Sequence, residues 1–357
     1  MPTRRRFIGA AVAAVACPAL GWAAAGAPSH LSAARAGDGS YHLLGLRSDG
    51  EIAFRLGLPE RGHAAAAHPH KAQAVAFARR PGTFALVLDC THGGLQQTLQ
   101  TPVGRHFYGH GAFSRDGQLL LTTENDIATG AGIIGLWRVG ETYQRVGEIT
   151  SNGIGPHEIV RLPGTDHFAV ANGGIRTHPK TGREKLNLDS MKPNLTILDA
   201  SGTFLDMAEL PDEWHKNSLR HISAFKDGRV ACAFQWQGDP YAAPSIAGLY
   251  APGAGLRLID MKAQVLHRLD GYAGSIAALG SDHIGVTFPR GDLAQVIDLK
   301  SHRTVLLRRG DVCGIARGSH QTLVTDGFGG VHHFKNDKFE TLARHGVSFD
   351  NHLVAVS

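Results

Sequence analysis

The sequence is poor in cysteine and in aromatic residues, with four cysteines and 7% aromatic side chains among 357 residues. Three of the cysteines, Cys90, Cys232 and Cys313, lie beyond the N-terminal leader and are far apart in the chain. An odd, scattered set of this kind predicts no disulfide framework. A chain of this length is large enough to be held together by its hydrophobic core instead.

Several motifs of common enzymes are absent from the sequence. It contains no Gly-x-Ser-x-Gly elbow, no Walker-type phosphate loop, no His-Glu-x-x-His and no Cys-x-x-Cys-His. These absences argue against the commonest hydrolases, nucleotide enzymes and c-type cytochromes. After the leader, no uncharged apolar run is long enough to span a bilayer, so we expect no membrane insertion of the mature chain.

The first 25 residues have the pattern of a twin-arginine signal peptide. Arginines at positions 4, 5 and 6 and Phe7 precede an uncharged, alanine-rich stretch that ends at Ala25. We therefore expect export to the periplasm by the twin-arginine pathway and cleavage after Ala25; a Sec signal or an uncleaved anchor is the alternative. Loss of the three arginines lowers the basic residues from 36 to 33, against 31 acidic residues. The remaining charge gives no indication of a nucleic-acid partner.

Residues 26–357 are predicted to form one all-β domain, a seven-bladed β-propeller. Short runs rich in Val, Ile, Leu, Phe and Thr are separated by turn pairs such as Asp116-Gly117, Pro163-Gly164 and Asp227-Gly228. The runs recur at a coarser period, which predicts blades near 63–104, 105–150, 151–212, 213–269, 270–309 and 310–343. The seventh blade is expected to take its inner strands from 347–357 and its outer strands from 41–46 and 51–56, which closes the ring. The alternative architecture is a pair of β-sandwiches.

Three segments align without a gap, and each begins with a histidine. His110, His157 and His221 all stand three residues before an apolar position and seven before a turn glycine. If these segments are the innermost strands of successive blades, the three imidazoles converge at one end of the central channel. The same position in other blades is assigned to Ala74, Gly274 and Cys313, and Asp350 and Asn351 come from the closing blade.

The convergent residues predict a transition-metal site. Imidazole and thiolate bind iron, copper or zinc, so we assign His110, His157 and His221 as the primary ligands, with His70 and Cys313 as possible additions. The alternative is structural: histidines in a narrow channel can simply hydrogen-bond to backbone and water, and Cys313 can be a small buried apolar residue.

Polar residues near the same mouth are candidates for supporting the metal or binding a substrate. Glu158 follows His157, and further polar residues end central strands of other blades, namely Glu124, Asp126, Gln235 and Arg290. The charged segment 172–189, which includes His178 and Arg183, is longer than a blade connection needs and is predicted to be a lid or binding loop. Locally paired charges and hydrogen-bonded turns are the alternative interpretation.

The sequence resembles a family of twin-arginine-exported, seven-bladed propellers of unassigned function, encoded in many bacteria beside imelysin-type periplasmic proteins of iron acquisition. The segments that carry the resemblance are 108–114, 123–126, 155–158, 171–175, 185–189, 219–221, 274–276 and 311–314. The resemblance implies a periplasmic location and a link to iron acquisition, with other periplasmic iron-uptake proteins as partners. It implies no known reaction.

Three functions remain open from the sequence. The first is a periplasmic propeller that binds iron or copper at the histidine-lined mouth, as a monomer. The second is a metal-assisted hydrolase, lyase or oxidoreductase acting on a small anionic substrate, with Glu158 or Asp126 as base and Arg183 and Arg290 holding the substrate. The third is a protein-interaction platform in which the histidines are structural.

Overall fold

The strands of the protein form seven four-stranded antiparallel sheets arranged as the blades of a β-propeller, as the sequence predicted. The computed structural model describes residues 21–79, 84–182, 184–319 and 321–356. Residues 1–20 of the predicted signal peptide and Arg183 lie outside these ranges. In the described part of the chain, no helix has the length and apolar character needed to cross a membrane.

Twenty-eight strands make up the blades and are numbered here in chain order. They are β1 (His30–Ala36), β2 (Tyr41–Leu46), β3 (Ile52–Leu58), β4 (Gly62–Ala67), β5 (Gln73–Ala78), β6 (Ala85–Asp89), β7 (Gly94–Leu99), β8 (Arg105–Phe113), β9 (Leu119–Asp126), β10 (Ala131–Val139), β11 (Tyr143–Ile154), β12 (Pro156–Arg161), β13 (His167–Asn172), β14 (Asn194–Asp199), β15 (Phe204–Glu209), β16 (Asn217–Ala224), β17 (Val230–Trp236), β18 (Ala247–Ala251), β19 (Gly255–Leu258), β20 (Ser275–Leu279), β21 (His283–Phe288), β22 (Leu293–Asp298), β23 (Thr304–Arg308), β24 (Val312–Arg317), β25 (Thr322–Asp326), β26 (Gly330–Lys335), β27 (Lys338–Arg344) and β28 (Val347–Ala355).

Helical structure in the described residues is confined to single turns between strands. One α-helical turn spans Ala263–Leu266, and short 3-10 turns span Trp22–Ala25, Pro179–Thr181, Leu188–Ser190, Asp212–Trp214, Pro240–Ala242 and Pro289–Gly291. The first of these packs against the fold, since Trp22 is buried and its indole N–H donates to the carbonyl oxygen of His68 at 2.8 Å.

The seventh blade closes the ring by joining both ends of the chain. Its strand order is β28-β1-β2-β3, and β28 pairs antiparallel with β1 from His30 opposite Ala355 to Ala36 opposite Val347. The predicted outer strands at 41–46 and 51–56 are β2 and β3, whereas β1 lies upstream of the segments that the sequence assigned. Pairing of this kind leaves no open ring edge, and it ties both termini into one sheet.

The innermost strands surround the propeller axis as a closed ring. In order these are β28, β4, β8, β12, β16, β20 and β24, and each contacts the next one around the circle. Behind them, the second strands of the blades are buried on both faces: the side chains of residues 168–171 in β13 and 230–234 in β17 are fully buried. The core thus lies between blades, and the axis is lined only by side chains of the inner strands.

The turn glycines of the three aligned histidine segments have the backbone conformation that their position requires. Gly117, Gly164 and Gly228 have φ values of 72°, 78° and 87°. Only glycine adopts this left-handed region without steric cost, so each ends an inner strand and starts the hairpin to the second strand. The strands that these glycines follow are β8, β12 and β16, the innermost strands of blades two, three and four.

Candidate metal centre

Among the residues that the structure describes, five histidines from five blades meet at the propeller axis. They come from β4, β8, β12, β16 and β28 and are His63, His110, His157, His221 and His352. The ring of His352 is the most central: its centroid lies 4.3 Å from that of His63, 4.5 Å from that of His110 and 4.9 Å from that of His221. His157 completes the cluster, 4.9 Å from His221 and 5.1 Å from His110.

A break in strand register occurs beside each of these histidines. The pairing of the inner strand with its neighbour shifts between Gly62 and Ala65, Phe107 and Gly111, Pro156 and Glu158, Leu219 and His221, and Phe349 and Leu353. An extra residue at a bulge redirects its side chain, which otherwise alternates between the two faces of the blade. The bulges therefore account for imidazoles from five separate sheets pointing at a common axis.

The glycine before His110 shows how closely the rings are packed. Gly109 has a φ of 103°, and a Cβ atom at this position would lie 2.6 Å from Cδ2 of His63. Glycine is thus required both by the backbone conformation and by the adjacent imidazole.

Burial keeps the five imidazoles neutral. It lowers the pKa of His221 to about 3 and that of His352 to about 4, and it lowers the pKa values of His63, His110 and His157 well below the ordinary value. Neighbouring residues lower some of these pKa values further, by smaller amounts. His352 lowers the pKa of His63, and Arg220 lowers the pKa of His221. Neutral imidazole is the form that binds a metal ion, so no proton has to be displaced at neutral pH.

Each histidine of the cluster has a buried ring nitrogen without a hydrogen-bond partner in the protein. These atoms are Nδ1 of His63, His110, His157 and His221 and Nε2 of His352. Buried polar atoms are nearly always paired, and an unpaired one costs about 1–3 kcal/mol. Five such atoms in one small space indicate that the cluster is built to hold a further group.

The donor atoms form two groups whose spacing suits a metal ion. His63, His110 and His352 form one, and Glu158, His221 and His352 form the other, with the ligand atoms of each group within 4.8 Å of one another. Nε2 of His110 lies 3.4 Å from Nδ1 of His352, and Nδ1 of His221 lies 3.5 Å from Oε2 of Glu158. Two ligand atoms bound about 2.1 Å from a tetrahedral ion are about 3.4 Å apart. In each group, one pair of donor atoms therefore already has the separation that such an ion requires.

Glu158 is the one carboxylate in these two groups. Its Oε2 accepts a hydrogen bond from the backbone N–H of Ile222 at 3.0 Å, which positions it beside His221. Burial raises its pKa to about 7, although the positive charge of His352 in its protonated form and the Ile222 hydrogen bond act the other way. A metal ion in the second group would favour the ionised carboxylate.

Of the five predicted ligands, the structure brings His110, His157 and His221 together but not His70 or Cys313. His70 is exposed in the turn after β4, where its Nε2 lies 3.0 Å from the carbonyl oxygen of Arg115 in the turn after β8. Cys313 lies on an inner strand but is in neither ligand group, and its Sγ lies 3.5 Å from the carbonyl oxygen of Thr325. Burial raises the pKa of this thiol to about 12, which keeps it protonated.

Glu124 and Asp126, which the sequence analysis named as candidates for supporting the metal or binding a substrate, are held by arginines within blade two. The buried Glu124 accepts from Arg145 and Thr122, each at 2.7 Å, and Asp126 pairs with Arg105 at 2.7 Å. Neither belongs to a potential metal-binding group. These contacts stabilise the sheet of blade two, and they do not orient the imidazoles.

The long segment after β13 contacts the blades on both sides of its own, at the end of the propeller where the inner strands begin. In blade two, Oη of Tyr108 lies 3.0 Å from Oγ1 of Thr177, and toward blade four the ammonium group of Lys185 donates to the side-chain oxygen of Gln237 at 2.5 Å. We refer to residues 173–190 as the cover segment. Within it, His178 only caps a 3-10 turn, where its Nδ1 accepts from the backbone N–H of Lys180.

Gln235 and Arg290 also lie at this end of the propeller. The amide of Gln235 donates to the carbonyl oxygen of Ala273 at 3.1 Å. The guanidinium group of Arg290 stacks 4.3 Å from the ring centroid of Tyr272 and pairs with Asp270 at 2.8 Å.

The sequence analysis missed His63 and His352. It assigned the inner strand of blade one to Ala74, but that residue lies in β5, the second strand, and the inner strand is β4. His63 precedes an apolar residue by three positions, as His110 does, and this was the available signal. In the closing blade it singled out Asp350 and Asn351, one or two residues before His352.

Comparisons with solved structures identify the fold only. The chain is similar to the structure of U3-55K, with 11% identity, a TM-score of 0.58 and coverage of 81% of this chain and 82% of that one. It is similar to the RRP9 WD40 repeats, with 12% identity, a TM-score of 0.59 and 81% coverage of both chains. Hydrazine synthase of Kuenenia stuttgartiensis has 13% identity and a TM-score of 0.60, over 95% of this chain and 99% of that one.

Sequence comparison defines the family. No curated protein matches the chain. A family model matches residues 56–356, nearly the whole propeller. The chain therefore belongs to the family described as "Protein of unknown function (DUF1513)".

Proposed function

We propose that this protein binds a transition-metal ion, iron or copper, at the five-histidine cluster on the propeller axis. The observation that carries the proposal is the set of buried ring nitrogens without partners, contributed by five blades to one space. Nitrogen donors with one carboxylate suit iron and copper, and they also suit zinc. A resident ion would satisfy those of these nitrogens that serve as its ligands.

Two features of the sequence support the proposal of a periplasmic location and a link to iron. The twin-arginine pattern at positions 4–7 supports export, and export of a folded protein allows its metal to be selected in the cytoplasm. The family resemblance supports a role in iron acquisition, with other periplasmic iron-uptake proteins as partners. Secretion of a reporter fused to residues 1–30, and its loss when Arg4, Arg5 and Arg6 are replaced by lysine, tests the export step.

Metal content is the direct test of the proposal. Protein purified from its own periplasm is expected to carry about one iron or copper ion per chain by elemental analysis, and metal-free protein to take up the ion when it is supplied. A variant with His110, His221 and His352 all changed to alanine should carry none, while His178→Ala serves as a control outside the cluster. Absence of metal both before and after soaking with iron, copper and zinc would contradict the proposal.

Glu158 favours a second candidate, a metal-assisted enzyme. With the ion held by the group of His63, His110 and His352, the Glu158 carboxylate is left to remove a proton from a metal-bound water, with His221 3.5 Å away. Asp126 does not offer this role, because its carboxylate is paired with Arg105. A hydrolase or lyase acting on a small anionic substrate is the reaction class that this arrangement supports, and an oxidoreductase requires a redox-active ion such as iron or copper.

Replacement of the carboxylate tests the second candidate. In a panel of small carboxylic and phosphoric esters hydrolysed by metal-loaded protein, Glu158→Gln is expected to lower kcat by at least about 100-fold, because general-base catalysis typically contributes this much. Glu184→Gln removes an exposed carboxylate of the cover segment and should leave kcat unchanged. Tight metal binding without turnover of any substrate would leave metal binding as the function.

A further inference from the structure

The two potential metal-binding groups cannot both bind a single ion without rearrangement. Ligand atoms about 2.1 Å from one ion are at most about 4.2 Å apart. In each group the ligand atoms lie within 4.8 Å of one another, but the described residues form no larger group at that spacing. The donor atoms therefore define two positions for an ion, and only His352 belongs to both.

The two positions also differ in their donor atoms. His63, His110 and His352 offer three nitrogens, a set that suits copper or zinc. In the other group a carboxylate oxygen of Glu158 joins His221 and His352, and two histidines with one carboxylate are the set that binds iron(II) in non-haem oxygenases. Each group is thus a complete set of three protein ligands, and the two sets are connected only through His352.

His352 has one ring nitrogen available for each group. Its Nδ1 lies 3.4 Å from Nε2 of His110, so Nδ1 serves the all-nitrogen group. Its Nε2 is buried and has no hydrogen-bond partner among the described residues. The ring of His221, whose Nδ1 is likewise unpaired, lies 4.9 Å away between centroids. The second nitrogen of His352 is therefore free to bind an ion at the group that contains the carboxylate.

We propose that the axial cluster is a two-ion centre in which the His352 imidazole bridges an ion at each group. This step rests on the proposed function, which requires one ion, and adds a second ion to it. A neutral imidazole carries one N–H proton, and the second ion displaces this proton into solvent, so the bridging ring becomes an anion. Together with the carboxylate of Glu158, the ring offsets part of the repulsion between the two cations.

Titration of the metal-free protein with copper(II) tests the second ion. Equilibrium dialysis is expected to show about two copper ions per chain at saturation, and electron paramagnetic resonance at liquid-helium temperature reports on the bridge. Two copper(II) ions joined by one imidazolate ring couple antiferromagnetically. The integrated signal of the fully loaded protein should therefore fall to less than about half of the value for two isolated ions.

Variants that remove a ligand from only one group locate the two ions. Glu158→Gln keeps the shape of the side chain but removes the carboxylate, so this variant should bind about one copper ion and give the full signal of an isolated ion. His63→Ala is expected to give the same result from the other group, with circular dichroism as the check on its fold. Glu184→Gln and His267→Ala remove exposed side chains of the same two types and should behave as the wild type.

The outcomes separate this inference from the proposed function. Saturation of the wild type at one copper ion, or two bound ions with the full signal of two isolated ions, would overturn the inference and leave metal binding at the cluster intact. Two coupled ions in Glu158→Gln or in His63→Ala would also overturn it, because the ions would then be held by other residues. Absence of any bound copper, iron or zinc would refute the proposed function itself, and this inference with it.

Discussion

Changing His352 to alanine is expected to weaken metal binding by at least about 100-fold, more than any other single substitution in the cluster. His352 is the one residue shared by both potential metal-binding groups, and its ring lies within 4.9 Å of three other imidazoles. Even residues that only support a ligand typically contribute 10- to 100-fold to affinity, so removal of a direct ligand of either group should exceed that range. Cobalt(II) is a suitable probe, since its visible absorption reports on coordination.

His70→Ala is the matched control for this experiment. His70 was assigned as a ligand from the sequence, but in the structure it contacts the turn after β8 and is exposed. Its substitution should leave the cobalt spectrum and affinity unchanged, and circular dichroism should show that both variants are folded. If His352→Ala binds cobalt as tightly as the wild type, the ion is held elsewhere and the axial site is refuted.

The part of the site that was predicted from the sequence depended on turn glycines. His110, His157 and His221 each have a glycine seven residues later, and the positive φ of that glycine marks the end of an inner strand. Because innermost strands of a propeller all start at the same end, an alignment on these turns is enough to predict that the histidines converge. The number of blades was predicted from the same turn residues, since hairpins recur once or more in every blade.

The two missed histidines lack this marker for identifiable reasons. Seven residues after His63 stands His70, and the turn after β4 contains Pro69 in place of a glycine. The strand itself is Gly-His followed by four alanines, residues with low strand propensity, whereas the next segment, Gln73–Ala78, contains Val75 and Phe77. The sequence analysis therefore took β5 for the inner strand of this blade in place of β4. As a result it selected His70, and not His63, as the candidate ligand.

His352 escaped prediction because its strand, β28, pairs with β1, which is far away in the sequence. The two strands are not joined by a hairpin, so no turn glycine marks the register of β28. The strand also contains a bulge between Phe349 and Leu353, and alternation of side chains cannot be followed through a bulge. Asp350, which the sequence analysis named from the closing blade, pairs with Arg61 and Arg79.

The largest effect on stability is expected from Asp326→Asn in blade six, away from the histidine cluster. The side chain of Asp326 is fully buried and accepts from Nε2 of His332 at 2.8 Å and Nε of Arg309 at 2.7 Å. It also accepts from the backbone N–H groups of Phe328 and Gly330, at 2.9 and 2.8 Å, which forms the turn between β25 and β26. One carboxylate therefore joins two strands and their hairpin to Arg309, in the connection between blades five and six.

Burial by itself would raise the pKa of Asp326, but the hydrogen bonds from His332, Gly330 and Arg309 outweigh burial and hold the pKa well below its ordinary value. A carboxyl group with a depressed pKa contributes stability above its unfolded pKa of 3.8 and loses it as the pH falls below that value. The asparagine amide keeps the shape but not the charge, and it leaves the buried His332 and the half-buried Arg309 without this carboxylate. Loss of one partner of a buried ion pair typically costs about 3–5 kcal/mol.

Urea denaturation at pH 7 measures this loss, provided that unfolding is reversible. Asp326→Asn should lower the free energy of unfolding at this pH by about 3–5 kcal/mol. Asp337→Asn is the control: its carboxylate pairs with Arg303 at the surface and is 44% exposed, so the expected loss is below about 1 kcal/mol. Similar losses in the two variants would show that the Asp326 network does not stabilise blade six beyond an ordinary surface ion pair.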